Sequence, residues 1–251
     1  MMTVQIAKWL ARLVRTQFRS GFANRTEHAR AWVRFWRSYG RYSRLRKQNG
    51  ENHVLHLVPY VGEDGPTTEM DPIYFYQDCW AFEKIVDARP SSHVDVGSHH
   101  KFVALLSKVV PVTMMDIRPL PLPLDSLRFQ EGSILDMPFE TGSLSSVSSL
   151  CVIEHIGLGR YGDPLDVHGT ERALAELKRV IQPGGDLYVS VPISDVNATL
   201  FNANRLFDED YLRTLFDPFE VVESRYIYGN QFGNVWQKAV GVGCYHLRAL
   251  Q

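Results

Sequence analysis

The sequence predicts an α/β fold: a seven-stranded, mostly parallel sheet with helices on both faces, preceded by an N-terminal helical arm. Three observations predict it. From Ser92 onward, short β-branched runs alternate with stretches of helical periodicity, the pattern of strands joined by crossover helices. Two of the predicted strands end in an acid beside a turn, at Asp95-Val96-Gly97 and at Asp116-Ile117-Arg118-Pro119. The charge is also sharply divided: of 27 Lys and Arg, 12 lie in residues 1–50, against one of the 28 acids, Glu27. A basic arm (1–50) therefore precedes a mildly acidic domain (51–251), and the split predicts an anionic partner.

The arm reads as two amphipathic helices. Ile6, Trp9, Leu10, Leu13 and Phe18 form one stripe, and Trp32, Phe35, Trp36, Tyr39 and Tyr42 recur at three and four in the second. Arg30, Arg34, Arg37, Arg41 and Arg44 fall between those aromatics. An anionic membrane surface suits this pattern; so does packing against the domain or a second copy of the chain, giving a homo-oligomer. Asn24 or Thr26 caps the second helix, and Gln48 to Gly50 forms a hinge.

Asp71-Pro72 opens a helix through about Ala88, with proline in the first turn where its missing N–H costs nothing. Strands follow at His93–Gly97, Pro111–Ile117, Leu127–Glu131, Leu144–Val152, Asp186–Val191, Phe219–Tyr228 and Lys238–His246. Helices fit Phe102–Val109, Gly169–Ile181 and Asp208–Phe216. The apolar share of 45% supports one sizeable core and argues against disorder. No run approaches a membrane span, and Cys79, Cys151 and Cys244 lack the spacing of a zinc or disulfide framework. Reduced thiols in a cytoplasmic protein, free or held at a membrane periphery, are the expectation.

The chemistry is concentrated at strand ends. In Val94-Asp95-Val96-Gly97-Ser98, a glycine between strand and helix lets a nucleotide-type ligand approach the backbone. Asp116 ends the next strand 19 residues after Gly97, the position and spacing of an acid that binds two ribose hydroxyls. A third segment, Gly132-Ser133-Ile134-Leu135-Asp136-Met137-Pro138-Phe139, precedes the strand that ends in Ile153-Glu154-His155-Ile156. A later helix ends in Leu177-Lys178-Arg179-Val180-Ile181-Gln182-Pro183-Gly184-Gly185.

This ordered series, covering roughly residues 90–195, resembles the class I methyltransferases that use S-adenosyl-L-methionine (SAM) on small molecules and lipids. The Asp116-Ile117-Arg118-Pro119-Leu120 run and the run from Glu154 to Pro164 look like a bacterial branch often linked to cell-surface polysaccharide synthesis. The resemblance implies a Rossmann-like sheet with SAM as cofactor. It places Gly97 and Ser98 beside the methionine part, Asp116 and Ile117 at the ribose, and Ser133 and Ile134 at the adenine. Asp95 would orient either the loop or the cofactor's amino group. The chain departs from the family at His99-His100, where further glycines are usual, at Ser133, often an acid, and at Leu144, where an aspartate usually opens the strand. A methyltransferase-like domain without SAM chemistry, docked to a membrane or complex or using a metal, is the alternative those departures keep open.

The loop Gly157–His168 would overhang the acceptor and supplies Arg160, Tyr161, Asp163 and His168 for substrate binding. Arg160 and Asp163 could equally pair to hold the loop shut. His155 is the candidate general base for an alcohol acceptor, oriented by Glu154, or else a structural histidine bridging the strand end. Asn202, Asn204 and Arg205 suit a polyhydroxy or anionic acceptor, or a capped turn. No two of His99, His100, His155 and His168 have metal-ligand spacing on one element, so no metal is expected. A small-molecule, sugar or glycolipid acceptor fits best. Nucleic acid is disfavoured, because Ile153-Glu154-His155-Ile156 stands where amino-methylating enzymes carry an Asn-Pro-Pro-Tyr-like tetrapeptide.

Overall fold

The computed structural model describes residues 26–53, 55, 57–59, 61, 67–68 and 70–251, so the first arm helix expected at Ile6 to Phe18 lies outside the described residues. The chain divides into two compact units, Met1–Glu69 and Met70–Gln251. In the first, residues 26–48 form one helix, α1.

The second unit is built on one large sheet. Its strands are β1 (His93–Val96), β2 (Val112–Asp116), β3 (Leu127–Glu131), β4 (Leu144–Leu150), β5 (Ile181–Ile193), β8 (Glu220–Tyr228), β9 (Gln231–Gly233) and β10 (Gly241–Arg248). Their spatial order is β3-β2-β1-β4-β5-β10-β8-β9. β1 to β5 pair in parallel, whereas β10 runs antiparallel to both β5 and β8. A separate hairpin pairs β6 (Ala198–Leu200) with β7 (Asn204–Leu206).

The large sheet holds eight strands rather than the expected seven. The extra one, β9, is three residues long and folds back on β8 through Gly229-Asn230, with Gly229 at φ +58°. A Gly-Asn pair is a hairpin signal, but a three-residue strand has no periodicity of its own. Several boundaries also move, among them the starts of β5 and β10. β5 begins at Ile181, directly after the helix, because Pro183-Gly184-Gly185 is absorbed as an irregularity in the pairing with β4. β10 starts at Gly241 rather than Lys238.

Helices cover both faces. α2 (Pro72–Ala88) is capped by Asp71, whose Oδ1 accepts from the Ile73 N–H at 2.8 Å. α2 and α3 (His100–Leu106) bury Trp80, Ala81, Ile85, Phe102, Val103 and Leu106 against Val112, Met114, Leu150 and Tyr188. On the other face, α4 (Gly169–Val180) and α5 (Glu209–Phe216) bury Leu174, Leu177, Leu212 and Phe216 against Val94, Val96, Met115 and Leu187. The division follows strand alternation: Met114 and Met115 point to opposite layers. Each such side chain, fully buried, stabilises the fold by about 1.5–3 kcal/mol. Both layers leave the C-terminal ends of β1, β2 and β4 open, and the candidate site forms there.

Candidate active site

The site begins with a buried polar chain beneath the first strand–helix junction. Asp95 is fully buried on β1; its Oδ1 accepts from the Ser98 N–H at 3.0 Å and its Oδ2 from the Ser148 hydroxyl at 2.5 Å. Burial pushes its carboxyl up to about 6, opposed by the bonds from Ser148 and Ser98. Having spent its proton on Asp95, Ser148 accepts from Nε2 of His93, 2.9 Å away. His93 Nδ1 is then the acceptor for the Ser146 hydroxyl at 2.8 Å. Burial lowers the His93 pKa to about 3, so the ring is neutral and held in that tautomer. Ser146 and Ser148, two apart on β4, therefore serve one face of β1. The serine-rich start of β4 thus has a structural use.

This chain holds Asp95 under the turn it shapes. Asp95 fixes the Ser98 amide, and Ser98 Oγ accepts from the Leu150 N–H at 3.0 Å, so the turn is tied to β4. Gly97, at φ +68°, sits at its crest. A Cβ there would stand 3.2 Å from Val152 Cγ1 and 3.8 Å from Asp116 Oδ2, narrowing the gap between β1 and β2.

Above it opens a cleft of about 840 Å³. Gly97, Ser98, Asp116, Ile117, Ser133, Ile134, His155, Tyr161 and Asp163 all line it, so one cavity unites the residues expected around a cofactor with several expected around an acceptor. Asp116 Oδ1 accepts from the Arg118 N–H at 2.8 Å, closing a local turn that aims the carboxylate across the cleft towards Gly97. Ser133 Oγ likewise accepts from the Leu135 N–H at 3.1 Å. It is a turn former here, not a free acceptor side chain.

At the end of β4, Cys151 takes a left-handed backbone conformation (φ +53°), uncommon for any residue but glycine. Its thiol faces Gln77 Oε1 at 3.2 Å, and burial holds it protonated, so it is no nucleophile despite lining the cleft. The 3₁₀ turn Ile153–His155 follows. His155 Nδ1 lies 2.6 Å from the Ala203 carbonyl oxygen and Nε2 lies 3.7 Å from Glu154 Oε1. Since a carbonyl only accepts, Nδ1 carries the proton and Nε2 is the basic nitrogen. Burial pulls the His155 pKa below its ordinary value, which keeps Nε2 unprotonated near neutrality. Glu154 is buried, with no hydrogen-bond partner for Oε2, and burial pushes its carboxyl up to about 8.

The loop over the cleft is held by Asp163. Its Oδ2 accepts from the Gly157 N–H at 2.7 Å and its Oδ1 from the Tyr161 N–H at 3.2 Å. The expected Arg160–Asp163 pair is absent. Arg160 instead donates to the Ala203 carbonyl at 3.0 Å. Its guanidinium also stands 5.1 Å from the Tyr161 ring centre, and that of Arg118 4.7 Å from the same ring.

Arg160 is not among the residues that line the cleft, and four further expected acceptor residues lie elsewhere. His168 is largely exposed at the start of α4, 3.8 Å from Glu171, and does not line the cleft. Asn202 is exposed in the β6–β7 turn, and Asn204 donates to the Arg205 carbonyl at 2.9 Å. Arg205 is buried, donating to the Ile156 carbonyl at 2.5 Å, to Thr170 Oγ1 at 3.2 Å and to the Asp166 carbonyl at 3.0 Å. It fastens the base of the loop and does not line the cleft. The hairpin reaches the site through the Ala203 carbonyl rather than through its amide side chains. Conversely, Tyr74, His99, His100, Arg118 and Leu135 line the cleft without having been assigned to it. Tyr74 and His99 have ring centres 5.1 Å apart, so α2 supplies part of the wall. Among the described residues no group of three or more His, Cys, Asp or Glu is arranged to hold a metal ion.

Strand order, the antiparallel β10 and the cleft at the ends of β1, β2 and β4 define the Rossmann-like fold of the class I methyltransferases. The chain resembles the N-methyltransferase NodS of Bradyrhizobium japonicum WM9, solved with S-adenosylhomocysteine: TM-score 0.52, 14% identity, covering 72% of this chain and 89% of that one. It is also similar to the 1,6-didemethyltoxoflavin-N1-methyltransferase of Burkholderia thailandensis, solved with bound 1,6-didemethyltoxoflavin and S-adenosylhomocysteine: TM-score 0.50, 18% identity, covering 71% of this chain and 84% of that one. A family model described as "Caenorhabditis protein of unknown function, DUF268" matches residues 138–232. No curated protein matches the chain by sequence.

Proposed function

We propose that this protein is a SAM-dependent methyltransferase that O-methylates a small polyhydroxy acceptor, a sugar or a glycolipid, in keeping with its resemblance to a branch linked to polysaccharide synthesis. The observation that carries the reading is the pairing of Gly97, at φ +68°, with the Asp116 carboxylate across one cleft. The residues present fit the cofactor. Gly97 leaves the space that a Cβ would fill, Asp116 Oδ2 is aimed there to accept from two hydroxyls, and Ile117 and Ile134 offer apolar surface for a base.

When bound, SAM supplies an electrophilic methyl group on a sulfonium. The protein's part is to bind, align and take a proton. A hydroxyl acceptor would lose its proton as it takes the methyl group and the sulfonium leaves as a neutral thioether, and His155 Nε2 is set to receive that proton. That tautomer supports an alcohol over an amine, which needs no base to become nucleophilic if it enters neutral. Tyr161, flanked by Arg118 and Arg160, forms the acceptor side of the mouth.

Incubation with methyl-tritiated SAM and a panel of sugars, sugar nucleotides and glycolipids tests the acceptor class. Label in a hydroxyl-bearing sugar or glycolipid is the expected result. Label found solely in RNA or protein supplied beside that panel, with none in its sugars or glycolipids, would refute it.

A further inference from the structure

Helix α1 has two opposed faces. At 3.6 residues per turn, Trp32, Phe35, Trp36, Tyr39 and Tyr42 project along one side, and Arg30, Arg34, Arg37, Arg41 and Arg44 along the other. Trp32, Phe35, Trp36 and Tyr39 form a continuous ribbon, and Tyr42 extends it along the same side of the helix. Ring centres are 5.7 Å apart for Trp32 and Phe35, 5.3 Å for Phe35 and Trp36, and 6.0 Å for Trp36 and Tyr39, each pair edge to face. The outer edge of the ribbon is bare: Trp36 is 51% exposed, Tyr39 36% and Tyr42 52%. A connected apolar band of that kind on a soluble surface marks a binding face. The sole acid among residues 1–50 is Glu27, so the helix presents almost undiluted positive charge beside the band.

We infer that α1 is a membrane-surface helix, laying its aromatic ribbon into the headgroup boundary of a bilayer rich in anionic lipid while its arginines face the aqueous side. The chemistry selects this occupant. Trp and Tyr combine an apolar ring with a polar edge and settle at the headgroup level, and an arginine-rich opposite face draws anionic lipid. Trp32 and Trp36 stack on one another, and Phe35 and Tyr39 meet Trp36 edge to face, so the ring contacts are already made along the helix itself, whereas base binding stacks each base on a ring face. Spanning is excluded for α1, because no helix among the described residues is long and apolar enough to cross a membrane. This inference stands independently of the methyltransferase reading.

The test is co-sedimentation of the full chain with sucrose-loaded vesicles of phosphatidylcholine alone or with one quarter phosphatidylglycerol. Two variants run beside it: Trp36→Ser/Tyr39→Ser/Tyr42→Ser, and Arg37→Glu/Arg41→Glu. All the substituted positions are exposed, and circular dichroism checks that the fold is kept. Wild type is expected to pellet with the anionic vesicles, with roughly tenfold less bound at 0.5 M salt, where surface charge is screened. Both variants should lose at least about fivefold in bound fraction. Wild type remaining in the supernatant at low salt would overturn the inference. So would an aromatic variant that binds like wild type, or one that merely converts a dimer to a monomer by light scattering with vesicle binding unchanged.

Discussion

Nδ1 of His155 lies 2.6 Å from the carbonyl oxygen of Ala203, and this contact decides which nitrogen of the ring is basic. The carbonyl comes from the β6–β7 turn, which also accepts from Arg160, so hairpin and overhanging loop meet at one atom. His155→Ala should lower turnover by about 10²–10⁴-fold while leaving S-adenosylhomocysteine affinity within about twofold. Because burial depresses the His155 pKa, the acid limb of kcat/KM should fall below the ordinary imidazole value near 6.5. Steady-state rates from pH 5 to 9 check both. Unchanged turnover in the variant would reduce His155 to a strut.

Glu154 makes a signed prediction about stability. Its carboxyl is raised from an ordinary 4.5 to about 8 by burial. Below pH 4.5 both folded and unfolded chains hold the proton, so nothing is lost. Between about 4.5 and 8 the unfolded chain releases it first, and stability declines as pH rises. Glu154→Gln removes that titration. Thermal melts should show the variant and wild type alike near pH 4.5 and the variant more stable at pH 8.5.

Ser148 is the middle of the chain from Asp95 to His93. Ser148→Ala leaves the Asp95 Oδ2 and the His93 N–H both buried and unpaired, at a cost of about 2–3 kcal/mol. Urea denaturation measures it. A loss under about 0.5 kcal/mol would mean that the chain is not held as described.

Arg205 ties three points of the loop base together. Arg205→Lys keeps the charge but cannot reproduce the planar fork. It should destabilise the fold by about 1–3 kcal/mol and speed amide exchange across residues 156–166. Hydrogen exchange read by mass spectrometry distinguishes this from an acceptor-binding role, which would leave exchange untouched.

Much of this was legible from sequence because it is local. Asp95, Gly97 and Asp116 act within a few residues of strand ends, and the order of strands and helices fixes which ends meet. What was misread depends on distant partners. An arginine just after Asn202-Ala203-Asn204 reads as a surface group, yet Arg205 is buried against carbonyls 49 and 39 residues earlier in the chain, at Ile156 and Asp166. Asp163 reads as an acceptor ligand or as a partner for Arg160, but three glycines make the loop backbone itself the better partner: Gly157 and Gly159 turn their amides inward. Tyr74 could not be assigned because it precedes the first strand and reaches the cleft only when α2 docks. The use of Ser146 and Ser148 in β4 depends on His93 and Asp95, more than 50 residues earlier in the chain.

Gly97 offers a steric test. Gly97→Ala puts a Cβ into a left-handed position, costing about 1–2 kcal/mol, and 3.2 Å from Val152 Cγ1. Cofactor affinity should fall more than tenfold as the turn shifts, with the melting temperature lowered by only a few degrees. Calorimetry and thermal melts on the same sample separate the two effects.

The most direct measurement is calorimetric titration of S-adenosylhomocysteine and SAM into the intact chain and into Asp116→Ala. Asp116 sits at the cleft rim with a partly exposed carboxylate, so its removal leaves the core undisturbed. Micromolar binding by the wild type, weakened at least about thirtyfold in the variant, is the predicted result, since two charge-assisted hydrogen bonds are lost. Folded wild-type protein that releases no heat with either ligand, or an Asp116→Ala variant that binds as well as wild type, would contradict the assignment of this cleft.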